Sequence, residues 1–201
     1  MAYTLKKSLG QHFLKDENIC KKIVSALKQY EFTQLLEVGP GGGALTKYLL
    51  QIPDINFKAV EVDNEKVEWL EMAYPAMKRK IIHQNFLDMD IPFEGSFVVA
   101  GNFPYNISSQ ILFKILEWKT QIPFVIGMFQ KEVAQRIAGK PGNKVYGILS
   151  VLIQAFYNVE YLFDVPPGCF IPPPEVMSTV IKLERKTEGF IVSNEKDFLN
   201  W

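Results

Sequence analysis

Cysteine and histidine are scarce in this chain, which has two of each. Cys20 and Cys169 stand far apart and flank no metal-type spacing, so they are expected to be reduced structural thiols rather than a disulfide. His12 and His83 are equally isolated, which leaves no cluster from which to expect a metal site. Also missing is any run of about 18 uncharged apolar residues, so no membrane-spanning helix is expected. The opening "MAYTLKKSLGQHFLKDEN" has no apolar signal core, and the expected location is cytoplasmic. Nor is there a net charge, because 22 basic residues balance 22 acidic ones. A neutral sum argues mildly against a nucleic-acid partner, but the distribution is uneven. Lys6, Lys7, Lys15, Lys21, Lys22 and Lys28 crowd the N-terminal end, and Lys131, Arg136, Lys140 and Lys144 form a second group. Such groups are either solvated faces or phosphate contacts.

What is present is ordinary core material. The chain has 201 residues, 48% of them hydrophobic, enough for one sizeable core or a domain plus an appendage. Short apolar runs alternate with amphipathic stretches, the pattern of strand–helix units around a parallel sheet. Strands are expected at 34–39, 57–63, 80–84, 96–102 and 124–129. Between them, Leu45, Leu49 and Leu50 fit one helix face, Val67, Leu70 and Met72 a second, and Ile111, Leu112, Ile115 and Leu116 a third. Ser108 and Ser109 are the expected N-caps of the third helix. Residues 145–156 read as a buried helix, and 158–165 and 178–186 as two more strands. The intervening "PPGCFIPPPEV" is too rich in proline for a helix and reads as a stiff extended loop. Two final strands without a helix between them predict a mostly parallel sheet with one antiparallel edge strand.

"EVGPGGGALT" (37–46) lies between the first expected strand and the first crossover helix. Gly39, Gly41 and Gly42 allow a sharp turn and close approach to a ligand, and Ala44 completes the relaxed G-x-G-x-x-A fingerprint. About twenty residues on, Glu61 stands near the end of the next strand, where a carboxylate accepts hydrogen bonds from ribose hydroxyls. Loop and acid together point to a nucleoside cofactor, either a nicotinamide dinucleotide or S-adenosylmethionine.

"GNFPYN" (101–106) bears on that choice. Ligands of open α/β sheets bind beyond the carboxyl ends of the strands, which places Asn102 at the same crevice as the glycine loop. The amino group of adenine is a poor nucleophile because its lone pair is delocalised into the ring. The Asn102 side-chain carbonyl and the Phe103 backbone carbonyl, aimed by Pro104, could accept from both amino hydrogens and free the lone pair for a methyl group. Tyr105 then offers a ring for the base to stack on. The plainer alternative is a capped turn with Tyr105 in the core.

Those residues carry a resemblance. The chain resembles the ribosomal RNA small-subunit adenine N6,N6-dimethyltransferase family, of the KsgA type, from "KSLGQHFL" (7–14) through "STVIKL" (178–183). The motifs in combination are "GQHFL", "EVGPG", "VEVD", "GNFPYNIS", "QKEVAQRI", "KPGNKVYGILSV" and "FIPPPEV". The resemblance implies a Rossmann-like class I S-adenosylmethionine-dependent methyltransferase with a mostly parallel seven-stranded sheet, one antiparallel strand and helices on both faces. It implies dimethylation of two adjacent adenosines near the 3′ end of 16S rRNA, four methyls in all, with the small ribosomal subunit as partner. By position it makes His12 and Leu14 part of a segment that closes over the cofactor. Gly39, Gly41 and Glu61 become cofactor-binding residues, and Asn102, Phe103, Pro104 and Tyr105 the target-adenine site, with Phe103 replacing the commoner Leu. Asn102 also touches the cofactor. Phe170 would cover the second face of the base. Lys6, Lys7, Lys131, Arg136, Lys140 and Lys144 become expected RNA contacts.

Two departures stand out. Asn85 takes the place of an Asp that accepts from the cofactor's adenine amino group, with Asp88 as the rival position. The family also continues into a basic helical domain, whereas this chain ends at Trp201, and "NEKDFLNW" reads as the opening of a helix cut short. The expected division is a catalytic domain at 1–186, including the closing segment 1–16, and the start of a helical RNA-binding domain at 187–201. A monomer without metal is expected. The competing functions are a noncatalytic rRNA-binding assembly factor and a macrolide-resistance-type enzyme acting on large-subunit rRNA. A nicotinamide dehydrogenase is disfavoured, since "NFPY" has no role in one.

Overall fold

In a computed structural model of the protein, the structure describes residues 12–187. Lys6, Lys7 and the "NEKDFLNW" segment lie outside the described residues. A short strand, β1 (Phe13–Leu14), leads into helix α1 (Glu17–Leu27). Asp16 caps that helix, its carboxylate accepting from the Asn18 and Ile19 amides at 2.9 and 3.3 Å. Alternating units follow: β2 (Gln34–Val38), α2 (Thr46–Leu49), β3 (Asn56–Glu61), α3 (Asn64–Ala73), β4 (Ile81–His83), β5 (Val98–Asn102), α4 (Ser108–Glu117) and β6 (Phe124–Gln130). Then come α5 (Lys131–Ile137), α6 (Ile148–Phe156), β7 (Tyr157–Val165), the two-residue β8 (Phe170–Ile171) and β9 (Ser178–Arg185).

Seven strands form one sheet in the order β4-β3-β2-β5-β6-β9-β7, all parallel except β9, which is antiparallel to both neighbours. Successive side chains of the central strands go to opposite faces. Leu36, Val38 and Val99 join Ile111, Leu112, Ile115, Leu152 and Ile153 under α4 to α6. Leu35, Val98 and Ala100 join Ile19, Ile23, Leu27 and Leu49 under α1 and α2. Helices therefore cover both faces, which is why the central strands are continuous apolar runs.

Four expectations need correction. The antiparallel strand is not at the edge: β9 lies inside β7, and it buries Ser178 to Ile181 on both faces while β7 exposes Asn158, Glu160 and Tyr161. Ser108 and Ser109 do not cap α4; Ser108 is its first residue, and its hydroxyl donates to the Tyr105 carbonyl at 3.1 Å. Helix α3 buries Lys66 and Leu70, while Met72 is exposed, so its inward face is set one residue away from the apolar pattern. The proline-rich loop is not extended throughout, since Pro167–Cys169 forms one 3-10 turn. Its β8 segment pairs antiparallel with β1, Phe13 opposite Ile171 and Leu14 opposite Phe170, and the Lys15 amide donates to the Cys169 carbonyl at 2.8 Å.

Both cysteines are free, and among the described residues no group of three or more His, Cys, Asp or Glu is arranged to hold a metal. Among them, too, no helix is long and apolar enough to cross a membrane.

Candidate active site

One cleft opens at the carboxyl ends of β2, β3, β4 and β5, roofed by β1. Its wall includes His12, Phe13, Leu14, Gly39, Gly41, Glu61, Asn85 and the run Asn102 to Tyr105. The residues expected to hold a cofactor and those expected to hold a base thus share one opening.

The glycine loop makes the floor. Gly41 has φ +56°, a left-handed conformation, and a Cβ there would sit 3.1 Å from the Phe13 ring, so the backbone favours glycine and a side chain would press the ring outward. Glu61, 4% exposed, is turned back onto this loop. Its Oε2 accepts from the Gly41 amide at 3.3 Å, and its Oε1 from the Val62 and Asp63 amides at 3.0 and 3.1 Å.

Pro104 lies against the loop from the other side, its Cδ 3.6 Å from where a Cβ of Gly39 would stand. The tip of β5 is held by its neighbours. The Phe103 amide donates to the Met128 carbonyl at 3.2 Å, and the Phe103 ring is buried over Gly101 and Gly127. A Cβ on Gly127 would meet that ring at 2.4 Å, so the bulky residue beside Asn102 depends on a glycine in the adjacent strand. The Asn102 side-chain amide donates to the His12 carbonyl at 3.0 Å. His12 Nδ1 is 2.8 Å from the Pro172 carbonyl, and its ring lies 5.3 Å from that of Tyr105 at an interplanar angle of 30°. The Tyr105 hydroxyl shares a short hydrogen bond with Ser178 of β9. Burial raises the Tyr105 pKa, and that bond partly offsets the rise.

Two further residues on the wall carry no role in the sequence reading. Glu37, 1% exposed, has its carboxyl pushed up to about 8 by desolvation, against the pull of the Thr46 hydroxyl donating at 2.7 Å. The signal for it was a lone acid inside the apolar run "QLLEVG". Lys66, with its side chain 2% exposed, has its ammonium 3.9 Å from Glu61 Oε1 and 5.5 Å from the Phe13 ring centre. Burial lowers the Lys66 pKa, with Glu61 and Asp63 opposing. Apolar periodicity masked it, since a lysine is not sought on the inward face of a helix.

One expected placement differs, that of Phe170, and the surroundings of Asn85 and of the basic residues are specific. Phe170 is not on the cleft wall; it is 1% exposed and packed in the core with Leu14, Val165 and Val180. Asn85 is on the wall, but its carbonyl accepts from the Leu87 amide at 3.1 Å and its amide donates to Asp88 at 2.7 Å, which joins the two rival positions in one turn. Of the basic residues, Lys131 is paired with Asp164 at 2.6 Å and Arg136 with Glu132 at 2.6 Å, while Lys140 and Lys144 are exposed between α5 and α6.

A family model described as "Ribosomal RNA adenine dimethylase" matches residues 2–201. Ribosomal RNA small subunit methyltransferase A of Cytophaga hutchinsonii is 50% identical over 196 residues, 96% of this chain and 76% of that protein. Among solved structures, a dimethyladenosine transferase from Plasmodium falciparum superposes with a TM-score of 0.79 and 28% identity, over 90% of this chain and 66% of the other. The 23S rRNA methyltransferase ErmE gives a TM-score of 0.78 and 26% identity, over 90% and 72%.

Proposed function

The chain belongs to the ribosomal RNA adenine dimethylase family, and on that premise we propose how its cleft carries out the reaction. That reaction is S-adenosylmethionine-dependent methylation of adenine in small-subunit ribosomal RNA. Structural likeness alone does not choose the RNA, since a 23S enzyme is as similar in fold; the 50% identity to the small-subunit enzyme does.

The cleft suits the cofactor. A buried carboxylate at Glu61 stands ready for ribose, and the Gly39–Gly41 turn leaves room for close approach. His12, Leu14, Asn85 and Asn102 would complete the enclosure. When bound, S-adenosylmethionine supplies an electrophilic methyl group. The protein's part is to hold the adenine amino nitrogen still and keep its lone pair available. With the Asn102 amide N–H given to the His12 carbonyl, the side-chain oxygen is the atom left for the base. The Phe103 carbonyl is the second acceptor, and Tyr105 the stacking surface, worth roughly 1–3 kcal/mol. Extruding the adenine costs a few kcal/mol, least in an RNA loop. No general base of matched pKa is required, because the amino proton can pass to water after transfer.

The observation that carries this reading is the single cleft shared by Glu61, the glycine turn and Asn102 to Tyr105. The further reading, two adjacent adenosines modified by a cytoplasmic monomer through a catalytic domain at 1–186, rests on the family resemblance.

The test is transfer of labelled methyl from S-adenosylmethionine to small subunits lacking these methyls, with nucleosides identified by mass spectrometry. N6,N6-dimethyladenosine is expected, and Asn102→Ala should lower the rate roughly a hundredfold or more. Full activity in that variant would leave the Asn102 role untenable. Loss of product with intact subunit binding would separate catalysis from an assembly role.

A further inference from the structure

An adenine drawn out of RNA loses its stacking on both faces, and a single ring restores only one of them. Tyr105 is placed as a fixed platform for the first face. It follows Pro104 in the chain, and its hydroxyl is tied to Ser178 at the start of β9. Phe170, the ring expected over the second face, is instead buried with Leu14, Val165 and Val180. The ring that does face Tyr105 is that of His12, also on the cleft wall, with its centre 5.3 Å away and its plane tilted by 30°.

His12 is fastened to both sides of the base site. Its carbonyl accepts from the Asn102 side-chain amide at 3.0 Å, which places its backbone beside the group that is to receive the adenine amino hydrogens. Its ring is held separately, Nδ1 donating to the Pro172 carbonyl at 2.8 Å. A carbonyl can only accept, so that nitrogen carries the proton. The main chain is thus anchored at Asn102, and the ring is turned by one hydrogen bond to the proline-rich loop. A flat base between two rings needs about 7 Å from centre to centre, two layers of van der Waals contact, so these rings must part by roughly 2 Å. Rotation of the His12 side chain to another staggered position, with loss of the Pro172 bond, provides that opening while the Asn102 contact stays in place.

Resting on the target-base assignment above, we propose that His12 is the second stacking surface for the target adenine. It lies against Tyr105 until the base arrives and then covers the face that Tyr105 leaves open. The adenine is then held at its edge by Asn102 and Phe103, and on its two faces by rings that come from opposite ends of the described chain's catalytic half. What matters in His12 is the flat face of the ring. Its nitrogens serve only the resting position.

The experiment compares kcat/KM for small subunits lacking the methyls among the wild-type chain, His12→Ala, His12→Leu and His12→Phe. Saturating S-adenosylmethionine takes any change in cofactor affinity out of the comparison. His12→Ala should lose roughly ten- to hundredfold, the worth of one stacked face. His12→Phe, which keeps a flat ring but cannot bond Pro172, should return to within about threefold of wild type. His12→Leu, with bulk and no ring, should stay near the Ala variant. The proposal is overturned if His12→Ala stays within about twofold of wild type. It is overturned equally if Leu restores as much as Phe, the mark of simple packing, or if Phe does no better than Ala, which would assign the role to the Pro172 bond. Absence of methylated product from the wild-type chain would instead bring down the target-base assignment itself.

Discussion

Glu37 is an acid kept from ionising by the apolar strand that carries it. Its folded pKa of about 8 lies above the unfolded value near 4.5, with desolvation the leading cause. Between those values the folded protein holds a proton that the unfolded chain has released. Stability therefore falls as pH rises from about 4.5 to about 8, by at most about 1.4 kcal/mol per pH unit, and levels off above. Glu37→Gln keeps an acceptor for Thr46 and removes the proton, so its denaturation midpoint should exceed that of wild type at pH 8, with a flatter profile between pH 5 and 8. A wild-type profile that rises over this window would refute the assignment. At this scale the sequence is informative about Asn102, Tyr105 and Glu61, because polar or aromatic residues at strand ends need a reason. It is silent about Lys66, which is covered by Phe13 from a distant part of the chain and lies beside the nearby Glu61, and misleading about Phe170, which the β1–β8 pairing draws into the core.

Among the elements, the central strands were legible because residues buried on both faces must be apolar, and all seven expected strands occur within a residue or two of their predicted bounds. Their order was less so. Chain sequence placed the antiparallel strand at the edge, but its continuous burial against the mixed exposure of β7 shows which strand a sheet interior tolerates. That interior position has a functional side. It brings Ser178, at the start of β9, under the Tyr105 hydroxyl. Ser178→Ala should leave S-adenosylhomocysteine affinity unchanged and slow methyl transfer roughly tenfold, since the ring loses its positioning contact. Equal loss of cofactor affinity would show that β9 supports the cleft as a whole. The β1–β8 pairing was not legible at all, because two rungs of ladder between segments far apart leave no periodic signature.

For the whole molecule, a neutral sum of charge conceals an uneven distribution. Lys131 and Arg136 are engaged by Asp164 and Glu132, so of that group the exposed Lys140 and Lys144 are the ones expected to reach phosphate. Binding to small subunits should weaken steeply with salt. Lys140→Ala with Lys144→Ala should reduce the slope of log K against log salt concentration by about two. A slope unmoved by the pair would place the RNA on another face. The chain spans about three quarters of the length of the Cytophaga hutchinsonii relative.

The three residues His12 to Leu14 deserve a kinetic reading. Phe13 rests on the glycine turn, while the carbonyl of His12 holds the amide of Asn102. A doubly methylated base needs a fresh donor in mid-course, and Phe13 is on the wall of the cleft proposed to hold that donor. If Phe13 lifts for that exchange, the adjoining His12 carbonyl would move with it and loosen its hold on Asn102. On that reading the two methyls of each adenine are expected to arrive in separate encounters, and N6-monomethyladenosine should be detected as a released intermediate at low turnover.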